Sequence, residues 1–153
     1  MTSLASEVIK ALAGKTLATA ESCTGGMIGQ ALTSVSGASA VYKGGVISYT
    51  NAVKQNVLGV SKEILQENGA VSAPVADAMA SGVRRLLDAD FAVSVTGLAG
   101  PGGDEFGNPV GTVFIGFASE SKSEVIEFHF IGDRDSVRRQ AAEEALRLIL
   151  ENV

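Results

Sequence analysis

The stretch KTLATAESCTGGMIGQALTSVSG, residues 15–37, decides the fold. KTLATAES reads as a short buried strand ending near Ser22, because its small and apolar residues are bounded by polar ones. GGMIGQALTSVSG then reads as a helix that opens at Gly25 and Gly26 and closes by Gly37. A strand, a glycine turn and a helix in succession is the repeating unit of sheets covered by helices. At the turn stand Ser22, Cys23 and Thr24, three side chains able to act as nucleophiles. On pattern alone a strand end, a helix cap and a glycine turn account for them more readily than a catalytic role does.

The chain on either side agrees with that unit. Leu4, Val8, Ile9 and Leu12 share one face of a first helix, with Gly14 as its stop. GGVISYT reads as a second strand, followed by Asn51 as N-cap of a helix over AVKQNVLG. Ser61 opens a short helix that stops at Gly69. Ser72, with Pro74 in the first turn, opens a longer one through Leu87. DFAVSVTG is a third strand running into the loop LAGPGGDEFGNPVG, long enough to suggest a function. TVFIGFAS and EVIEFHFIG pair as a hairpin-like unit. Asp133 or Asp135 caps a final helix with Val137, Ala141, Ala145 and Leu148 on one side. These elements predict an α/β fold: a three-layer α/β/α sandwich around a mixed, mostly parallel sheet of about five strands, as one domain over residues 1–153. In such sheets ligands bind at the carboxyl ends of strands. Ser22–Gly26, Tyr49–Lys54 and Thr96–Gly111 fall there.

Composition narrows the chemistry. The 153 residues are 46% hydrophobic but only 5% aromatic, with no tryptophan, which suits a core of Val, Ile, Leu and Ala. A net charge of −5 argues against nucleic acid or an acidic membrane as partner, since such binders carry basic patches. Cys23 is the one cysteine, so no internal disulfide or cysteine-based zinc site is possible. No run is apolar enough to span a bilayer and no signal-peptide core is visible, so a cytoplasmic protein is expected. No cluster of His, Cys and carboxylates suggests a metal, and no cofactor is expected.

A serine nucleophile needs a base. His129 is the single histidine. It shares a strand face with Glu127, opposite Ile126, Phe128 and Phe130, which is the solvent side. Lysine can take the role when burial or neighbouring charge makes it neutral, and Lys54 lies one turn after Asn51 close to a strand end. Amides at Gly25 and Gly26 would suit an oxyanion or a phosphate. Cys23 is better read as a small buried apolar residue than as the attacking thiol. Arg134, Arg138 and Arg139 can be a solvated helix face, or Arg138 can meet a phosphate.

The blocks AESCTGG, GGVISYTNAVKQNVLGV, GAVS, SVTGLAGPGG, PVGTVFIG and GDRDSVRRQA, in this order, resemble the CinA C-terminal domain family. Active members of that family are nicotinamide-nucleotide amidases. The resemblance implies hydrolysis of nicotinamide mononucleotide to nicotinate mononucleotide and ammonia, in pyridine-nucleotide salvage, with no metal. It implies Ser22 as nucleophile, Lys54 and Tyr49 as its catalytic partners, Thr96 near the amide, and Arg138 on the substrate. Asn51, Gly25 and Gly26 complete the expected substrate and oxyanion contacts. Many relatives carry a further N-terminal domain, so a chain of this length is expected to be the stand-alone form, and a homo-oligomer, a dimer first. The rival expectation is a non-catalytic domain that binds a phosphorylated ligand or a protein in a competence or DNA-damage response.

Overall fold

The computed structural model describes all residues, 1–153. Helix α1 (Thr2–Ala11) leads into β1 (Leu17–Glu21), α2 (Met27–Thr33), a 3-10 turn at Ala38–Ala40 and β2 (Tyr42–Ile47). Three helices follow, α3 (Asn51–Asn56), α4 (Lys62–Asn68) and α5 (Ala73–Leu86). Then come β3 (Phe91–Gly97), β4 (Thr112–Ala118), β5 (Ser123–His129) and α6 (Arg134–Glu151). The sheet has the order β2-β1-β3-β4-β5. Strand β1 runs parallel to β2 and β3, while β4 is antiparallel to both β3 and β5. So β4 alone is reversed, and the sheet is mixed with most strands pointing one way.

The layers follow from which side chains each strand turns to each face. Leu17, Val93, Val95, Ile115 and Phe117 pack with α1, α2 and α6 in one cluster. Ala18, Ala20 and Ala92 meet Met79 and Val83 of α5, with Leu58 and Leu65 beside them, in another. Every residue of β1 and β4 is buried, as strands covered on both faces must be. No helix is long and apolar enough to cross a membrane.

Local boundaries shift for identifiable reasons. The second strand begins earlier than GGVISYT, at Tyr42, and ends at Ile47, after which Ser48 N–H closes the ladder on the Glu21 carbonyl at 2.8 Å. Helix α2 stops at Thr33 rather than near Gly37. The hydroxyls of Thr33 and Ser34 there donate to the carbonyls of Gly29 and Gln30, at 2.8 Å each, competing with the helical ladder. The cap of α3 is Thr50, whose Oγ1 accepts from Val53 N–H, and Asn51 is the first helical residue. Asp133 caps α6 by accepting from Ser136 N–H at 2.9 Å, whereas Asp135 pairs with Arg139. His129 is exposed beside Glu127, with Nε2 2.6 Å from its carboxylate.

Helix α5 is seated by Gly82. A Cβ there would lie 2.1 Å from the Leu58 carbonyl oxygen. Gly82→Ala therefore sets a helix-propensity gain of about 1 kcal/mol against overpacking on backbone that costs about 1–3 kcal/mol. Urea unfolding should show a net loss of stability. An unchanged or raised midpoint would mean that α5 can move off the Leu58 segment freely.

Candidate active site

In the order β2-β1-β3-β4, the chain leaves β1 for β2 on one side and leaves β3 for β4 on the other, and a crevice opens at the carboxyl ends of β1 and β3. Ser22 follows β1, Tyr49 follows β2, and Thr96 sits near the end of β3. All three line one cavity of about 430 Å³, together with Cys23, Lys54 and Arg134. The three segments expected to carry the site do meet.

Lys54 is the one buried residue of α3, and it is 1% exposed. Its Nζ lies 3.1 Å from Ser22 Oγ and donates to the carbonyls of Ser48 at 2.8 Å and Tyr49 at 3.3 Å. No carboxylate forms an ion pair with it; the ion pairs of the protein all lie elsewhere. Loss of water around the ammonium lowers the Lys54 pKa from 10.5 to about 8. An uncharged amine has two N–H donors, and two carbonyls are there to take them. Its lone pair is then left for Ser22 Oγ.

Cys23 packs into the core on the α1, α2 and α6 face, and burial pushes its thiol up to about 11. It is a protonated, inert thiol beside the serine, as its residue type suggested.

Several side chains sit differently from their sequence expectation. The Tyr49 phenol does not touch Lys54 or Ser22; it is 60% exposed and accepts a hydrogen bond from Arg134 at 3.2 Å. What Tyr49 gives Lys54 is its main-chain carbonyl. Arg138 does not line the cavity. Its Nε donates to the Cys23 carbonyl at 2.8 Å and its Nη2 to the Thr24 carbonyl at 3.3 Å. The guanidinium at the cavity is Arg134, which donates to the Gly100 carbonyl at 2.6 Å as well as to Tyr49. Thr96 donates its hydroxyl to the Ala70 carbonyl at 2.8 Å while lining the cavity.

The glycine pair serves the turn itself. Gly25 (φ +59°) and Gly26 (φ +106°) adopt left-handed backbone that a side chain would strain, and Gly25 N–H is already bonded to the Ser22 carbonyl at 3.1 Å. Gly25 is thereby removed from the expected oxyanion donors. Asn51 lines a neighbouring groove of about 720 Å³ that shares Ala70, Val71 and Leu98 with the cavity.

One contributor went unread in the sequence. Glu21, 2% exposed, accepts from Thr24 Oγ1 at 2.8 Å and from the N–H groups of Ile28 at 2.9 Å and Gly29 at 3.0 Å. It ties the strand end to the first turn of α2. A carboxylate closing an otherwise apolar strand just before a helix start was the available signal. No three or more His, Cys, Asp or Glu side chains gather as metal ligands.

The fold and this cavity define a three-layer α/β/α protein with a buried Ser–Lys pair at a sheet switch point. The chain belongs to the CinA C-terminal domain family, which it matches over residues 1–153. It is 52% identical over 136 residues to a "CinA-like protein" of Anaeromyxobacter dehalogenans (strain 2CP-C), covering 89% of this chain and 33% of that protein. It is 49% identical over 138 residues to a "Putative competence-damage inducible protein" of Bacillus subtilis (strain 168), covering 90% and 33% respectively. The chain thus spans about a third of the length of these curated relatives. Among solved structures it resembles the competence damage-inducible protein A of Klebsiella pneumoniae subsp. pneumoniae MGH 78578, with a TM-score of 0.96 and 39% identity. That match covers 98% of this chain and 94% of the other. The competence/damage inducible protein CihA of Agrobacterium tumefaciens gives a TM-score of 0.95 at 38% identity, over 98% and 93%.

The state of the thiol is directly checkable. Native Cys23 should react with iodoacetamide at pH 8 far more slowly than the same residue in urea, by at least about a hundredfold from its low thiolate fraction and burial. Equal rates in both conditions would show the thiol to be accessible and ionised.

Proposed function

We propose that the protein is a metal-independent amidase that hydrolyses nicotinamide mononucleotide to nicotinate mononucleotide and ammonia. The observation that carries this reading is the contact of Lys54 Nζ with Ser22 Oγ at 3.1 Å, in a cavity wall where nothing neutralises an ammonium.

Each residue has a step. Neutral Lys54 takes the hydroxyl proton as Ser22 Oγ bonds to the carboxamide carbon, and the carbonyl π pair moves onto oxygen. The protonated amine then gives that proton to the nitrogen, the C–N bond breaks, and ammonia leaves. Lys54 next takes a proton from water, which attacks the ester carbon. The proton returns to Ser22 Oγ as the acid is released. Thr96 shapes the wall beside the reacting amide. Arg134, which lines the cavity with the Tyr49 hydroxyl beside it, is the cation assigned here to the phosphate; Arg138, expected in that role, lies outside the cavity lining and is bonded to the Ser22 turn.

Ammonia release from nicotinamide mononucleotide tests the reading. Ser22→Ala should remove it, and Lys54→Arg should lose about 10²–10⁴-fold, nearly as much as Lys54→Ala, because a guanidinium cannot give up its proton. A base must be uncharged, so kcat/KM should rise with pH and level off above about 8. Arg134→Ala should raise KM more for the mononucleotide than for the dephosphorylated riboside. Substantial activity in Lys54→Arg would overturn the base assignment. An intact protein that binds the nucleotide but releases no ammonia would favour the non-catalytic, phosphorylated-ligand alternative.

A further inference from the structure

Two hollows share one border. The catalytic cavity of about 430 Å³ and the neighbouring groove of about 720 Å³ have Ala70, Val71 and Leu98 in common. That border is held in place by side chains. The carbonyls of Gly69, Ala70 and Val71 accept from Ser72 Oγ at 2.9 Å, Thr96 Oγ1 at 2.8 Å and Asn108 Nδ2 at 3.1 Å. Ala70 adds only a methyl group there. Arg134, Tyr49, Gly100 and Gly102 line the cavity and not the groove, so the cation and the groove meet the cavity at separate parts of its wall. Helix α3 serves both hollows. Lys54 is turned to Ser22, while Asn51 and Gln55, four apart and so neighbours on the helix surface, line the groove. An aromatic ring completes the groove. Phe106 is 45% exposed and lies against Gly69, where a Cβ would come within 2.5 Å of it.

We propose that the groove is the leaving-group side of the cavity, and that the protein also hydrolyses secondary carboxamides, releasing an arylalkyl amine where the simple amide releases ammonia. The proposal rests on Ser22 as nucleophile, Lys54 as base and Arg134 at the phosphate. With its phosphate at Arg134, the nucleotide fills the part of the cavity that the groove does not share. The amide nitrogen faces Lys54, which must protonate it, and a substituent on that nitrogen passes over Ala70 into the groove. The lining there selects the substituent. Leu65, Val71, Leu98 and Phe106 give apolar surface for an aromatic ring. Asp104 and Glu105 stand against Lys62 alone, so an amine that gains a proton after release meets net negative charge. In the reaction Ser22 Oγ bonds to the carbonyl carbon and its proton passes to Lys54. Lys54 gives that proton to the amide nitrogen, the C–N bond breaks with its electron pair on nitrogen, and the free amine departs. Water then attacks the acyl ester with Lys54 as base, which restores Ser22 and releases the carboxylic acid.

The probe is N-benzylnicotinamide mononucleotide, with benzylamine release measured beside ammonia release from nicotinamide mononucleotide. Wild-type protein should cleave the benzyl amide with kcat/KM within about tenfold of the simple amide. Phe106→Ala should lower kcat/KM for the benzyl amide by about tenfold and leave ammonia release within about twofold. Phe106→Tyr, which keeps the ring, should retain the benzyl activity. Having both substrates in one variant separates a groove contact from damage to the fold. Ammonia release without benzylamine release would overturn the proposal and leave the amidase reading standing. Equal losses for both substrates in Phe106→Ala would do the same. If Phe106→Ala instead weakened only deamidation of nicotinamide adenine dinucleotide, the groove would hold the pendant half of a substrate, contrary to the proposal. A wild-type protein that releases neither ammonia nor benzylamine would sink the amidase reading, and this proposal with it.

Discussion

Lys54 is held in a cavity wall with its amine against Ser22 Oγ, two main-chain carbonyls and no carboxylate, and the rest of the site is arranged around that fact. A buried ammonium without a counter-ion is costly, and the usual response of a protein is to pair it or to make it neutral. Here nothing pairs it. The carbonyls of Ser48 and Tyr49 satisfy the N–H donors of an uncharged amine, and they are free to do so because β2 ends at Ile47 and the chain turns out of the sheet there. Short helix α3 returns Lys54 to those carbonyls within a few residues.

The sheet order makes the meeting possible. Ser22 and Lys54 are 32 positions apart, and they come together because β1 and β2 are parallel neighbours whose carboxyl ends lie side by side. Thr96 joins them from β3, on the other side of β1. Helix α6, packed under the same sheet, then delivers two arginines to two different tasks. Arg138 secures the turn and Arg134 reaches the cavity.

Much of this was legible in the sequence. Leu17–Glu21 had to be a buried strand, Gly25 and Gly26 had to mark a turn, and the three strand-end segments were correctly expected to converge. Main-chain roles were not legible. Tyr49 matters to Lys54 through its carbonyl rather than its phenol, and Gly25 N–H is spent inside the turn. Residue type carries no signal for either. Arg134 and Arg138 are four apart on one helix, so periodicity places them on the same face. Which one reaches the cavity depends on where the Cys23–Thr24 carbonyls and the Gly100 loop lie, and that is tertiary information. Thr50 displaced Asn51 as a cap for a similar reason: both are competent, and the path out of β2 chose between them.

The account stands on the charge of one amine. Lysine labelled with carbon-13 at the ε position reports its own titration by NMR, and Lys54→Arg identifies the resonance. The account predicts that the Lys54 signal titrates near 8, well below the other lysines, and that it does so in Ser22→Ala as well. A Lys54 signal that stays in the protonated position up to pH 10 would contradict it, because an amine still charged there cannot accept the proton of Ser22 at neutral pH.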